Sequence, residues 1–495
     1  MEPKEEYATF GKHLGYVIAA NVAILLLNLV QIPVLTKGLG VNLYGIWSLI
    51  NIAISLMVPI ALISLNLAIV RFLAAENNED RIRDDLISAF SVVFITGAVL
   101  SIFLFLLSDL IASSIFKDVS ATYYIKIASV LILINSLYLM SLSFFRMRRS
   151  MGLYSLLIVI FNISAVALII TSTLLGYKLT GVLIASVING IIFILINLII
   201  IHKKIGFKYP TLSHMKSYIR WGLPLIPNAS ILWIINTSDR YIISYFLGVD
   251  AAGIYSAAYT IGEYSLFILG PLIIVLYPTI SRHYDQGNLT ETKGYLKYSI
   301  KYLMMIAIPS AFGLSILAKP LLNVLTTPQF ISGSVVVPFV AFGAVIYSFF
   351  QVCLCIIQLV GKTEITVRLL GIAAVLNIAL NFLLIPKIGI IGAAIATFIA
   401  YAVLGILTLI VTRRYMKFDL SLPFIGKSVI SSSIMTLCIW AISPKTLVWT
   451  IISIIAGVLI YFSILFIIKG FSKSEITFFI KFVKDGLGKI HDLKG

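Results

Sequence analysis

Asp239, Arg240 and Glu263 stand inside long apolar stretches of a 495-residue chain, where an ionised side chain is costly unless it is paired or faces a wet cavity. Arg240 carries a planar guanidinium able to hold two oxygens of a phosphate or carboxylate at once, and Asp239 or Glu263 would tune or neutralise it. Neighbours on a helix diverge by about 100°, so Asp239 and Arg240 are expected to take different partners, with Arg240 turned to a central cavity. The competing reading is a structural ion pair between helices. Glu263 is the candidate for a coupling ion, a proton or sodium, because burial raises a carboxyl group toward a range where it exchanges protons. Asn21, Asn28, Gln31, Asn236, Asn377 and Asn381 are candidates to line a hydrated path. Taken singly, each amide is better explained by an interhelical hydrogen bond worth under about 1 kcal/mol, and it is the set that points to a path.

Nothing in the chain suggests covalent catalysis, a metal or a bound cofactor. The five histidines, His13, His202, His214, His283 and His491, fall between apolar runs and form no metal motif or nucleophile partnership. Cys353, Cys355 and Cys438 lie within apolar stretches and offer neither a disulfide framework nor zinc spacing. A phosphate-cradling glycine loop is missing as well, so ATP hydrolysis is not the expected source of power.

The elements that must position these residues follow from composition. Hydrophobic residues make up 60% of the chain and charged residues 12%, against about 45–50% and 25% in soluble domains. At 1.5 Å per residue, about 20 residues cross a hydrocarbon core of about 30 Å. Fourteen runs of that kind lie near 14–36, 44–70, 86–108, 124–145, 153–175, 180–201, 222–246, 252–278, 299–318, 333–358, 365–385, 389–412, 424–442 and 446–468. The fold class is therefore an all-α polytopic membrane protein of about 14 transmembrane helices. An even count places both termini on one side. Putting them in the cytoplasm leaves seven of the 37 Lys and Arg outside, namely Lys37, Lys117, Lys126, Lys178, Lys319, Lys387 and Lys445, with Arg240 inside a span. That asymmetry predicts a multi-pass protein of the cytoplasmic membrane with both termini cytoplasmic. It also accounts for the net charge of +17 without a nucleic-acid partner.

The halves repeat. Leu39-Gly40-Val41 and Gly45-Ile46-Trp47-Ser48 align with Leu247-Gly248-Val249 and Gly253-Ile254-Tyr255-Ser256 at an offset of 208, and Gly181, Ile184, Ala185 and Ile188 align with Gly392, Ile395, Ala396 and Ile399 at 211. Six spans separate the matches, so the halves share orientation and are expected to be related by a pseudo-two-fold axis along the membrane normal. The expected organisation is a lobe of helices 1 to 6 over 1–205, a lobe of helices 7 to 12 over 206–415, two further helices over 416–470 and a cytoplasmic tail over 471–495. In the tail, Ile476, Phe479, Ile480, Val483 and Leu487 share one helical face and suit either the membrane interface or a solvated helix.

Asp239-Arg240-Tyr241, followed by Phe246-Leu247-Gly248 and Gly253-Ile254-Tyr255, resembles the polysaccharide flippases of the multidrug, oligosaccharidyl-lipid and polysaccharide exporter superfamily. The stretch from Pro386 to Tyr401, with Asn377 and Asn381 before it and Gly389, Gly392-Ala393-Ala394 and Ala396-Thr397 within it, is similar to the end of the second lobe in O-antigen and exopolysaccharide translocases. The resemblance covers nearly the whole chain. It implies a V-shaped, two-lobed transporter that carries a polyprenyl-diphosphate-linked oligosaccharide to the outer leaflet by alternating access. Arg240 would meet the diphosphate, with Asp239 beside it, and Lys126 is a further substrate-binding candidate whose plainer role is an interfacial lysine. Membrane lipids and other polysaccharide-assembly proteins are the implied partners. Peptidoglycan-precursor flippases carry a basic residue in the first helix and drug exporters often an acidic one, whereas this chain has Asn21, Asn28 and Gln31 there. A cation-coupled multidrug or small-solute exporter is the second reading, and a glycan polymerase or scaffold the third.

Overall fold

The computed structural model describes residues 3–206, 209–267 and 269–472, together with Glu475 and Thr477. Every regular element among these residues is helical. An apolar chain in lipid has no other open-ended choice, since each backbone amide must be satisfied within its own segment. Twelve of the described helices are long and apolar enough to cross a membrane. The first of them, Gly15–Leu62, holds the first expected run and the start of the second. Helix Ile226–Leu247, the seventh expected span, is not among the twelve because Asn236 to Arg240 dilute its apolarity. Dividing the first and adding this one accounts for all fourteen runs. The amphipathic face assigned to the tail lies outside the described residues.

Single glycines make two of the sharpest corners. Gly40 (φ 72°, ψ 179°) interrupts helix Pro3–Leu62, and Gly248 (φ 87°, ψ 171°) separates Ile226–Leu247 from Val249–Glu263. Both adopt a conformation that side chains disfavour, and both occupy the same place in the sequence repeat. The following span is broken in each half. In the first, Ile63 and Ser64 are left-handed (φ 48° and 56°) before helix Leu65–Leu73 begins, and Thr96 Oγ1 donates to the Ala61 carbonyl at 2.6 Å. In the second, helix Val249–Glu263 passes into a 3₁₀ turn over Tyr264–Leu266 before Leu269–Asp285. Interrupted spans at matching places in two halves are a recurrent mark of transporter binding sites.

The chain packs as two compact units, the first formed by Met1–Tyr259, Leu325–Val336 and Val367–Ala400, the second by Thr260–Val324, Val337–Thr366 and Tyr401–Gly495. The core of the second unit gathers Leu276, Ile280, Ile300, Val352 and Ile356, with a smaller cluster around Phe424, Met435 and Tyr461. Two ion pairs tie its polar end: Lys297 Nζ to Asp419 at 2.6 Å, and Lys301 Nζ to the buried Glu475 at 2.6 Å. The hydrogen bond from Lys297, helped by the Ser421 amide, holds the Asp419 carboxyl below its ordinary range.

In the first unit, the connector between the sequence halves is fastened to the start of helix Glu79–Leu106. Asp84 accepts the Thr211 amide at 2.9 Å, Ser88 Oγ accepts the Leu212 amide, and Asp85 accepts from Tyr218 Oη and pairs with His214 Nδ1, both at 2.8 Å. Phe72 stacks on Tyr218 with ring centroids 4.9 Å apart. Asp85 is 1% exposed, so removing its carboxylate strands the buried Tyr218 hydroxyl, takes away the partner of His214 and costs about 3 kcal/mol. Asp85→Ala should therefore lower the melting temperature in detergent clearly, whereas Asp80→Ala, at a 71% exposed side chain, should change it little. Equal effects of the two would remove the fastening role.

Candidate functional site

Helix Ile226–Leu247 presents Asp239 and Arg240 to two other parts of the first unit. Arg240 Nη1 lies 3.0 Å from Asp239 Oδ1, and the same nitrogen reaches back one turn to donate to the Asn236 carbonyl. This overturns the expectation that adjacent residues need different partners. The backbone step of about 100° is bridged by the long arginine stem, which folds toward the helix N-terminus as helical side chains do. Arg240 is also only 6% exposed and Asp239 fully buried, so the guanidinium is enclosed instead of turned to an open cavity.

Two tyrosines complete the enclosure. Tyr255 and Tyr259, one turn apart on helix Val249–Glu263, place their rings 5.4 and 3.8 Å from the guanidinium carbon, which is cation–π range. Tyr255 Oη donates to Asp239 Oδ2 at 2.5 Å, and Thr397 Oγ1 stands 3.5 Å from the same oxygen. Behind Thr397 the bonds continue: Asn377 Nδ2 donates to Thr397 Oγ1 at 3.2 Å, and Asn381 Nδ2 to Asn377 Oδ1 at 2.9 Å. A carboxylate with three partners and a guanidinium with a carboxylate, a carbonyl and two rings form a satisfied buried charge pair, the arrangement that makes such a pair tolerable. The same helix also turns Trp233 and Tyr241 into an apolar cavity of about 210 Å³, shared with Ile50, Met57, Leu104 and Phe116.

The other sequence candidates fall elsewhere. Asn377 and Asn381, expected on a wet path, are instead fully buried in the network just described, Asn377 bonded to Thr397 of the next helix and Asn381 to Asn377 of its own. Asn236 is half-buried and serves through its carbonyl. Asn21 and Asn28 are exposed on the first helix, with Gln31 half-buried. Lys126 pairs with Asp109 at 3.3 Å on an exposed surface, its ammonium 5.7 Å from the Phe105 ring. Glu263 ends its helix with an exposed side chain. Tyr255, Tyr259 and Thr397 carry the site without having been singled out for it. The signal for the tyrosines was their i, i+4 spacing, which puts two aromatic rings on one helix face.

Next to this network the two repeats touch. A methyl group added at Gly45 would fall 2.3 Å from the Val249 carbonyl oxygen, and one at Gly253 would fall 2.7 Å from the Val41 carbonyl oxygen. Asn42 Nδ2 donates to Asp250 Oδ1 at 3.0 Å, across 208 residues. Val41 with Val249, Asn42 with Asp250 and Gly45 with Gly253 are partners in the sequence repeat. The contact is self-complementary, as a local two-fold axis between the glycines requires.

Known proteins resemble this chain in sequence and in fold. A family model described as polysaccharide biosynthesis protein matches residues 10–283, and one described as MatE matches 224–383. An uncharacterised membrane protein of Methanocaldococcus jannaschii is 24% identical over 79% of this chain and 81% of its own length. A probable low-salt glycan biosynthesis flippase of Haloferax volcanii is 22% identical over 56% of this chain and 60% of its own. Among solved structures, a lipid II flippase in an inward closed conformation superposes with a TM-score of 0.69 at 18% identity, covering 94% of this chain and 98% of that one. At that identity the likeness is one of fold.

Proposed function

Because the chain belongs to the polysaccharide biosynthesis protein family, we propose that it is a flippase carrying a polyprenyl-diphosphate-linked oligosaccharide from the cytoplasmic to the outer leaflet. The observation that carries this reading is the buried Asp239–Arg240 pair seated on two tyrosine rings. A diphosphate brings more acceptor oxygens than one carboxylate and fits the guanidinium fork, so it is a ligand able to draw Arg240 from Asp239. The apolar cavity behind the same helix suits part of an isoprenoid chain. The proposed setting is the cytoplasmic membrane with both termini inside, beside other polysaccharide-assembly proteins.

Exchange of partners has a consequence for coupling. When Arg240 leaves, Asp239 would stay as a buried charge with only Tyr255 and Thr397 for support, and taking up a proton relieves that cost. Asp239, more than Glu263, is then the residue that a coupling proton engages, with sodium as the alternative ion. Affinity for a diphosphate lipid should rise as pH falls in the wild type, since binding takes up a proton. In Asp239→Asn it should be tighter at neutral pH, by about tenfold or one 1.4 kcal/mol step, and flat with pH. Titration of a short-chain polyprenyl-diphosphate sugar, a diester whose own phosphates keep their charge throughout, between pH 5.5 and 8 reads both. A pH-independent wild type overturns the exchange.

The MatE match over 224–383 covers the same helix and favours, as the second reading, a cation-coupled exporter of drugs or small solutes. Arg240, once drawn from Asp239, favours an anionic ligand over a cationic solute. Proteoliposomes containing a fluorescent polyprenyl-diphosphate oligosaccharide, under imposed proton or sodium gradients, decide between them. Flipping supports the first reading. No flipping under either gradient, with drug uptake in the same vesicles, overturns it.

A further inference from the structure

Helices Glu79–Leu106 and Lys178–Ile205 both close on Ala121–Met147, and each does so at a glycine. A methyl at Gly97 would stand 3.0 Å from Leu133, and one at Gly190 would stand 2.2 Å from Ile134. Between these close approaches and the ends that carry Arg83 and Lys203 lies a groove of about 670 Å³. Its walls are Leu86, Phe90 and Phe94 on one side and Leu198 and Ile201 on the other, with Leu137 as the floor. Leu86 to Ile95 spans nine residue steps, about 14 Å of helix, which matches one leaflet of a core about 30 Å thick.

The mouth has the opposite chemistry. His202, Lys203 and Lys204 occupy the last turn of Lys178–Ile205 and are exposed. Arg83 closes the rim by donating through Nε to the Ile205 carbonyl, while its Nη1 pairs with Asp80 at 3.1 Å. Gly206, left-handed at φ 71°, ends the helix there, and a methyl at that position would sit 3.7 Å from Arg83 Nε. Four cations, Arg83, Arg148, Lys203 and Lys204, stand against the two exposed carboxylates of Asp80 and Glu79 and give the rim a positive balance.

We infer that this groove holds one chain of an anionic membrane lipid, with its phosphate headgroup among Arg83, His202, Lys203 and Lys204. The length of one leaflet, the close approaches at Gly97 and Gly190, and the cationic mouth fit a resident phospholipid of the leaflet that the charge pattern assigns to the cytoplasm. Such a lipid would brace the first unit on a face separate from the Asp239–Arg240 network.

The test is native mass spectrometry of the full chain in detergent, with phosphatidylglycerol or phosphatidylcholine of identical chains added. One phosphatidylglycerol should be retained at least tenfold better. Lys203→Gln with Lys204→Gln should abolish the preference while leaving chain binding. Ser91→Trp, which places an indole in the groove, should expel the lipid, whereas Val99→Trp on the exposed face should not. Melting temperatures of the variants in detergent show that each is folded. Equal retention of both lipids, or full retention in a folded Ser91→Trp, overturns the inference. Displacement of phosphatidylglycerol by a polyprenyl phosphate at equal concentration also overturns it, by giving the groove to the substrate tail.

Discussion

Arg240→Ala should reduce flipping of a lipid-linked oligosaccharide at least about a hundredfold. Two charge-assisted hydrogen bonds from a guanidinium to a diphosphate contribute about 1.5–3 kcal/mol each, and about 3 kcal/mol is two decades in rate or affinity. The substitution has a second effect that must be separated from the first. Asp239 is fully buried, and without Arg240 it becomes an uncompensated charge costing about 3–5 kcal/mol, enough to lower the amount of folded protein. Asp239→Asn combined with Arg240→Ala removes both charges and should recover most of the melting temperature. It should still fail to flip. Arg240→Lys keeps the charge but loses the fork and the flat stacking on Tyr259, 3.8 Å from the guanidinium carbon, so its rate should fall between the two. Initial rates per folded protein in proteoliposomes make the comparison. A double variant that flips at the wild-type rate would reduce the pair to a structural role.

Much of this was legible before any coordinates. Runs of about 20 apolar residues, basic segments between them and glycines at a constant offset are properties of single segments, and a bilayer leaves few ways to fold them. The chemistry of Arg240 was legible for the same reason, since an arginine inside a span must have a purpose or a partner. What lay beyond the sequence was which partner. The 100° rule treats Asp239 and Arg240 as short rods, and it fails where a long side chain curls back over its own helix. Asn377 and Asn381 illustrate a different limit. Their spacing puts them on one face of helix Thr363–Ile388, but only the packing of Ile390–Tyr415 beside it makes that face buried and gives Asn377 its bond to Thr397. Glu263 has apolar neighbours in sequence, and only the fold shows that it ends its helix with an exposed side chain.

Gly45→Ala and Gly253→Ala should each cost about 1–3 kcal/mol, the range for forcing extra atoms into a packed contact. The reason is geometric, because each added methyl meets backbone, at 2.3 and 2.7 Å, and no side chain can rotate away to make room. Both substitutions widen the same crossing. The double variant should therefore cost clearly less than the sum of the singles, a coupling that independent sites do not show. Any transport cycle by alternating access must at some stage part such a self-complementary seam or keep it shut throughout, and a tether distinguishes these. Asn42→Cys with Asp250→Cys replaces a pair whose side-chain atoms are 3.0 Å apart in the native protein. Bridged by a short reducible thiol crosslinker, it should lose flipping by more than tenfold and regain it when the bridge is reduced. Either single cysteine should be unaffected by the same treatment. A bridged protein that still flips at the unbridged rate would make the seam a fixed axis, about which other helices move, and would place the opening elsewhere in the chain.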